Sequence, residues 1–361
     1  MVPYISGTIM EEEYFDYDNY TADIDNNSTT EGTLNLYSAS SSSTYALVAV
    51  NIIICVLGLA GNSLVIWICG WKMKTSVITI WYISLAISNF LFCALLPFEV
   101  VYMITSHWPF GEGLCKLASS ALFLNMHSSV FLLVLISTDR CIMVLFPVWS
   151  HNHRKAGKAL GAVILMWVLS AFLTVPSLMY RKTTVHGSVI QCHTDYGVRH
   201  KAVVLTRFIC GFLIPILMIV FCCSVLAVKL RSLTHKSTKP YKIMAALILS
   251  FFACWVPYHT FVLLEIDFKN YNLEVIKTGL KVGATLAAAN SFLSPVLYVF
   301  IGNDFKKTLR QSLSSRIEDA LAEDIRTVGL SHSSSAIDGR PGLGVPASLA
   351  LWRLGKASGP S

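Results

Sequence analysis

Glu99, Arg181, Arg207, Tyr258, His259, Glu265 and Lys281 sit within or beside long apolar stretches, where a polar side chain needs a reason to be there. Arg207 is the costliest of them. An unpaired guanidinium among apolar residues is expensive, and its planar fork suits a carboxylate. If its run is helical, Arg207 lies roughly two turns, ~10 Å, below His200. Two readings stay open: an internal pair, Glu99–Arg207 or Glu99–Lys281, or a cation reserved for an anionic ligand. Glu265 and Lys281 lie close enough to the run ends for simple snorkelling.

A second set lies deeper: Asn62, Asn89, Ser129, Asn290 and Ser294. They would share a water-filled centre or join helix to helix by hydrogen bonds, and the two roles are compatible. Pro97, Pro176, Pro215, Pro257 and Pro295 each interrupt an apolar run. A proline removes one backbone hydrogen bond and kinks a helix, so one in most of the runs describes hinges around a polar packing centre.

The elements that must hold these residues are seven apolar runs: 45–69, 77–104, 114–144, 159–179, 203–228, 243–264 and 275–301. Each is long enough to span a bilayer as a helix. The third run organises the chain, opening at Cys115 and closing on Asp139-Arg140-Cys141. Its roughly thirty residues rise about 45 Å, more than the ~30 Å hydrocarbon core, so it crosses on a tilt.

Composition agrees. The chain is 54% hydrophobic and 14% charged, against roughly 25% charged in soluble domains. The net charge of +7 does not point to nucleic acid, because the basic residues are scattered in short links. Neither metal-ligand spacing, nor a nucleophile with a base, nor related halves with broken helices are visible, which argues against an enzyme or a transporter and for no cofactor and no metal. Among the ten cysteines, only Cys115 and Cys192 lie where an oxidising exterior could pair them.

Residues 1–44 read as an acidic tail without regular structure, with eight acidic residues and no basic one. Asn19, Asn26 and Asn27 head N-glycosylation sequons, and Tyr14, Tyr17 and Tyr20 lie in an acidic setting suited to sulfation. No basic-then-apolar leader opens the chain, so the first span is expected to direct insertion. Lys72, Lys74, Arg154, Lys155, Lys158, Lys229, Arg231, Lys236, Lys239, Lys242, Lys306, Lys307 and Arg310 fall on one side of the spans, and the other side is poorer. The positive-inside rule puts the acidic tail outside and the C-terminus in the cytoplasm, at the plasma membrane. Residues 302–316 read as an amphipathic interfacial helix, with Phe305, Leu309 and Leu313 on one face. Residues 317–361 form a cytoplasmic tail in which Ser331, Ser333, Ser334 and Ser335 are phosphorylation candidates.

Together these residues resemble the rhodopsin-like G-protein-coupled receptors across about 45–315. The likeness rests on Gly61-Asn62, Leu85-Ala86, Cys115, Asp139-Arg140-Cys141, Trp167, Pro215, Cys254-Trp255-Val256-Pro257 and Pro295-Val296-Leu297-Tyr298. Residues 138–142 (TDRCI), 146–154 (FPVWSHNHR), 206–215 (TRFICGFLIP) and 255–260 (WVPYHT) look like the chemerin receptor (chemokine-like receptor) group, related to the formyl-peptide and complement-peptide receptors. True chemokine receptors usually carry a second disulfide, from the tail to the third outer loop. Here no Cys precedes Cys55 or follows Cys254.

The resemblance implies an all-α seven-helix bundle with an eighth amphipathic helix, and a Cys115–Cys192 disulfide. It implies that Arg140 meets the G protein with Tyr298 as part of that switch, Asp139 restraining Arg140 beforehand. Pro215, Phe251, Trp255 and Pro257 would be a packing switch, and Arg207 would take the C-terminal carboxylate of a peptide. The implied partners are a peptide or small protein ligand of chemerin type, heterotrimeric G proteins (inhibitory class), arrestin, receptor kinases and the lipid bilayer, in chemotactic or inflammatory signalling. A formyl- or complement-peptide receptor is the nearest alternative, and a scavenger receptor that does not couple is another.

The chain departs from the family pattern at three places. Asn89 stands where the family has a sodium-binding aspartate, Ser294 where an asparagine precedes the proline, and Cys223 where a tyrosine is usual. Loss of the carboxylate argues against a sodium site, and altered coupling is expected.

Overall fold

In the computed structural model, residues 30–231, 239–267, 270–301 and 307–312 are described. Seven helices among them are long and apolar enough to cross a membrane: Thr44–Lys72, Val77–Thr105, Gly111–Leu145, Ala156–Tyr180, Gly197–Lys229, Met244–Glu265 and Leu273–Leu297. These match the seven apolar runs, including the last, which carries Lys277 and Lys281. Helix α1 is Thr30–Trp67, continued by a π-helical turn at Ile68–Lys72; α2 is Val77–Thr105 and α3 is Gly111–Leu145. A short α4, Pro147–His153, precedes α5, Ala156–Tyr180. A hairpin follows, β1 Arg181–His186 and β2 Val189–Thr194. The fifth span is α6, His200–Phe208, a π-helical turn at Ile209–Leu213, and α7, Ile214–Arg231. Helices α8, Lys239–Glu265, and α9, Leu273–Ile301, complete the bundle. Beyond it only the helical residues 307–312 are described.

The bundle is turned polar-side in. Asn62, Asn89, Asn125 and Ser129 are almost fully buried, whereas Val56, Leu165, Val168, Phe172, Leu217, Phe221 and Leu249 are exposed. In lipid that arrangement satisfies the side chains inside and leaves hydrocarbon against hydrocarbon. Local signals fix several ends. Ser76 and Thr79 form a reciprocal capping box at the start of α2, at 3.2 and 2.7 Å. Pro147 opens α4, where its missing N–H costs nothing.

One sequence expectation needs correction, and two features were not anticipated. Helix begins at Thr30, well inside the tail read as unstructured up to residue 44, because extending an existing apolar helix adds a hydrogen bond per residue without a new nucleus. The fifth run, in which Pro215 is expected to break the helix, contains the Ile209–Leu213 π turn. The link after α5 is a paired hairpin, closed by Gly187 at a φ of 59°. The sequons Asn19, Asn26 and Asn27, the tail tyrosines, the serines after 330, and Phe305 and Leu313 all lie outside the described residues.

Cys192 on β2 forms the disulfide with Cys115 at the head of α3, Cα to Cα 5.8 Å. Trp108, wholly buried, pins the same hairpin from the α2–α3 link: its backbone N–H donates to Ile190 O at 2.8 Å and its indole to Gly111 O at 2.9 Å. Phe98, Tyr102 and Phe110 pack around it. A covalent tie, a ladder and an aromatic plug thus hold the hairpin over this end of the bundle.

Candidate functional site

Below the hairpin, Arg207 on α6 is only 8% exposed. Its Nη2 donates to Ser177 Oγ on α5 at 3.0 Å and to Tyr196 Oη at 2.8 Å. The guanidinium carbon stands 3.6 Å from the centre of the Phe123 ring on α3, a stacked cation–π contact. Among the described residues no carboxylate lies within ion-pair distance of it. Glu99 instead accepts from Ser119 Oγ at 3.3 Å, so neither internal pair, Glu99–Arg207 nor Glu99–Lys281, is formed. The buried cation keeps neutral partners.

The other residues of the first set gather around it unevenly. Arg181, at the start of β1, donates from Nε to Cys192 Sγ at 3.2 Å and from Nη1 to Thr194 Oγ1 at 2.9 Å. Burial pulls its guanidinium below the ordinary value, while Glu99, Tyr102, Tyr196 and Tyr258 pull it back up. Tyr258 is buried, 6.3 Å from the Phe123 ring, and lies within electrostatic reach of Arg207, Tyr196, Glu265 and Arg181. His259 is buried against Phe212, ring centres 4.2 Å apart. Lys281 is exposed on α9 and Glu265 half-buried at the end of α8, so both stand at the margin rather than in the site. Sequence reasoning missed Ser177, Tyr196 and Phe123, the three residues that hold Arg207. Only Phe123 carried a signal, lying two turns inside the third run.

The π turn at Ile209–Leu213 shapes the floor. Gly211 lies within it, and a Cβ there would stand 2.7 Å from His127 Nε2 and Cδ2. Pro215, four residues on, has no N–H to return to the Gly211 carbonyl, which favours a break in the ladder here. Beneath lie Trp255 and Phe251, both about fully buried with ring centres 6.0 Å apart, and Tyr258, 5.9 Å from Trp255. Of the expected packing switch, Phe251 and Trp255 are therefore continuous with the cation's surroundings through Tyr258 and His259, while Pro215 and Pro257 lie on α7 and α8.

The deeper polar set forms real inter-helix bonds. Asn62 Nδ2 donates to Gly58 O at 2.7 Å and across to Ser291 O at 2.9 Å, joining α1 to α9. Gly61 makes room for that approach, since a Cβ there would meet Pro295 at 3.0 Å. Asn125 Nδ2 donates to Asn89 Oδ1 at 2.8 Å and Ser88 Oγ at 3.1 Å, joining α3 to α2. Trp167 Nε1 donates to Ser84 Oγ at 3.1 Å, joining α5 to α2. Asn290 and Ser294 are buried with them. Asn89 Nδ2, Asn125 Oδ1, Ser129 Oγ and Ser291 Oγ are sealed from solvent and have no partner among the described residues. Those donors are neutral, with no carboxylate to balance a cation, so a sodium ion does not fit this set.

At the opposite end of α3, Asp139 accepts from Arg154 Nε at 2.7 Å and from its Nη2 at 3.0 Å. Arg140, 9% exposed, directs Nη1 at Met143 Sδ, 3.9 Å away, and lines a narrow cleft with Tyr82, Ile136, Met244 and Leu247. The expectation that Asp139 restrains Arg140 is corrected. Consecutive helical residues point about 100° apart, so Asp139 faces the α4 link while Arg140 faces the bundle. Tyr298 lies on α9, and its side chain is outside the described residues.

Residues 61–298 match the family profile of the 7 transmembrane receptors (rhodopsin family). The chain is 40% identical to chemerin-like receptor 1 of Rattus norvegicus over 345 residues, 89% of this chain and 90% of that protein. It is 41% identical to the C3a anaphylatoxin chemotactic receptor of Oncorhynchus mykiss over 285 residues, covering 76% and 78%. With formyl peptide receptor 2 of Mus musculus it shares 36% over 304 residues, covering 77% and 86%.

Proposed function

The chain belongs to the rhodopsin family of seven-transmembrane receptors, and from that premise we propose a plasma-membrane receptor that binds the C-terminus of a chemerin-like peptide or small protein. The observation that carries this reading is Arg207, buried, aligned on Phe123 and paired with hydroxyls instead of a carboxylate. Burying a guanidinium without a counter-charge costs several kcal/mol in effect, roughly, and a ligand carboxylate offsets that cost. Relatives named for chemerin, C3a and formyl peptides support a peptide as ligand.

In this reading the hairpin end faces outward with the glycosylatable acidic tail, which steers a basic protein surface toward the site. The Arg140 end faces the cytoplasm, where heterotrimeric G proteins of the inhibitory class, arrestin and receptor kinases act. Competition binding decides the ligand class: chemerin's C-terminal peptide should displace a tracer better than formylated peptides. Equal or reversed potency would move the assignment to the formyl- or complement-peptide receptors.

A second reading has its own observation. Asn89, Ser294 and Cys223 change three family positions on the path from pocket to Arg140, which favours weak coupling or a scavenger that takes up ligand. Nucleotide exchange on G protein after ligand addition separates the two, uptake without exchange marking the scavenger.

A further inference from the structure

The way Arg207 is held dictates how it can take an anion. Nη2 of a guanidinium has two hydrogens, one on each of its two flat edges. Here both are engaged, by Ser177 Oγ at 3.0 Å and Tyr196 Oη at 2.8 Å. Neither edge therefore offers the pair of parallel N–H groups that a bidentate carboxylate requires. Nη1 and Nε have no partner among the described residues, and Phe123 closes one face at 3.6 Å.

A hydroxyl that accepts from Arg207 still has its own proton to donate. Ser177 is set on α5 and is 3% exposed. Tyr196 instead stands on the short segment between β2 and α6. Its ring packs on Tyr180 with centres 5.5 Å apart and near His200 at 5.8 Å, and the preceding Asp195 N–H donates to Tyr180 O at 2.8 Å. The hydroxyl is thus fixed by the disulfide-tied hairpin and aimed at the guanidinium.

We propose that Tyr196 is a ligand-binding residue, and that a terminal carboxylate is seated with one oxygen on Nη1 or Nε of Arg207 and the other on the Tyr196 hydroxyl proton. This rests on the reading that Arg207 takes a carboxylate, and it deepens that reading. Recognition is split between the fifth span and the segment that follows the hairpin, so an anion bound by the span alone would be held only singly. A terminal amide has no charge and only one acceptor oxygen, so it cannot place one oxygen on each group.

The test uses the full-length receptor and chemerin's C-terminal peptide, as the free acid and as its C-terminal amide. Tyr196→Phe keeps the ring and removes only the hydroxyl. We expect it to lower affinity for the acid about tenfold or more, the effect of one hydrogen bond to a charged group, and to leave the amide unchanged. In an Arg207→Gln background, Tyr196→Phe should cost little further. Equal losses for acid and amide would overturn the proposal, marking Tyr196 as packing only. A gain for the acid would overturn it too, since the carboxylate would then displace the hydroxyl to reach both N–H groups of one edge. If the unaltered receptor fails to prefer acid over amide, the carboxylate reading itself has failed, whatever Tyr196 does.

Discussion

Asp139 grips Arg154 with both carboxylate oxygens, at 2.7 and 3.0 Å, and makes no ion pair with its neighbour Arg140. The pair is mostly enclosed, with side chains 12% and 23% exposed. It ties the end of α3 to the residue that closes α4. A charge on the third span thus sets the posture of the loop helix, while Arg140 is held by packing.

Removing either partner should loosen α4 rather than release Arg140. Asp139→Asn and Arg154→Ala are each expected to cost about 1–2 kcal/mol locally. Hydrogen exchange at residues 147–153 would quicken roughly 5- to 30-fold. The double variant should behave like either single one. If exchange there is unchanged while basal nucleotide exchange rises, Asp139 is acting on Arg140 after all.

Phe123 should matter to affinity through Arg207. Phe123→Leu retains apolar bulk and removes the ring face 3.6 Å from the guanidinium. A desolvated cation–π contact is worth about 1–2 kcal/mol, so affinity for a carboxylate peptide should fall roughly 5- to 30-fold. Surface expression should be unchanged. Undiminished binding would show that hydroxyls alone orient Arg207.

The polar core predicts indifference to sodium. With Asn89 bonded to Asn125 and no carboxylate among the neighbours, replacing sodium by choline should leave ligand affinity as it is. Asn89→Asp places a charge against Asn125 in this buried polar set, and should make agonist affinity fall as sodium rises. Sodium dependence in the unaltered receptor would contradict the neutral core.

How much of this could be read from the residues varies with the kind of signal. The seven spans were legible because run length and hydropathy are decided locally by the bilayer. Asn62, Asn89 and Ser129 were legible as interior because polar groups among apolar neighbours must turn inward. The hairpin was hidden, since RKTTVH and VIQCHT alternate weakly and gain order from Cys115 and Trp108, far off in sequence. Tyr196 was hidden for the same reason, as only the fold brings it to Arg207. Asp139 and Arg140 misled by adjacency, which in a helix means divergence. The π turn left a faint trace in the spacing of Gly211 and Pro215.

That turn supports a last prediction, about stability. Gly211 presses its bare backbone on His127, which is wholly buried and 3.3 Å from Thr174 Oγ1. A methyl group there would stand 2.7 Å from the imidazole, and Met126 Cε crowds the same point at 3.2 Å. His127 has little space to retreat into, so the backbone must move. Gly211→Ala should therefore destabilise the receptor by about 1–3 kcal/mol, the usual cost of overpacking, and lower the melting temperature of the detergent-solubilised protein. Pairing it with His127→Ala relieves the clash, and the double variant should be more stable than the sum of the two single losses. Strict additivity would mean that the contact carries no strain and that glycine is kept there for another reason.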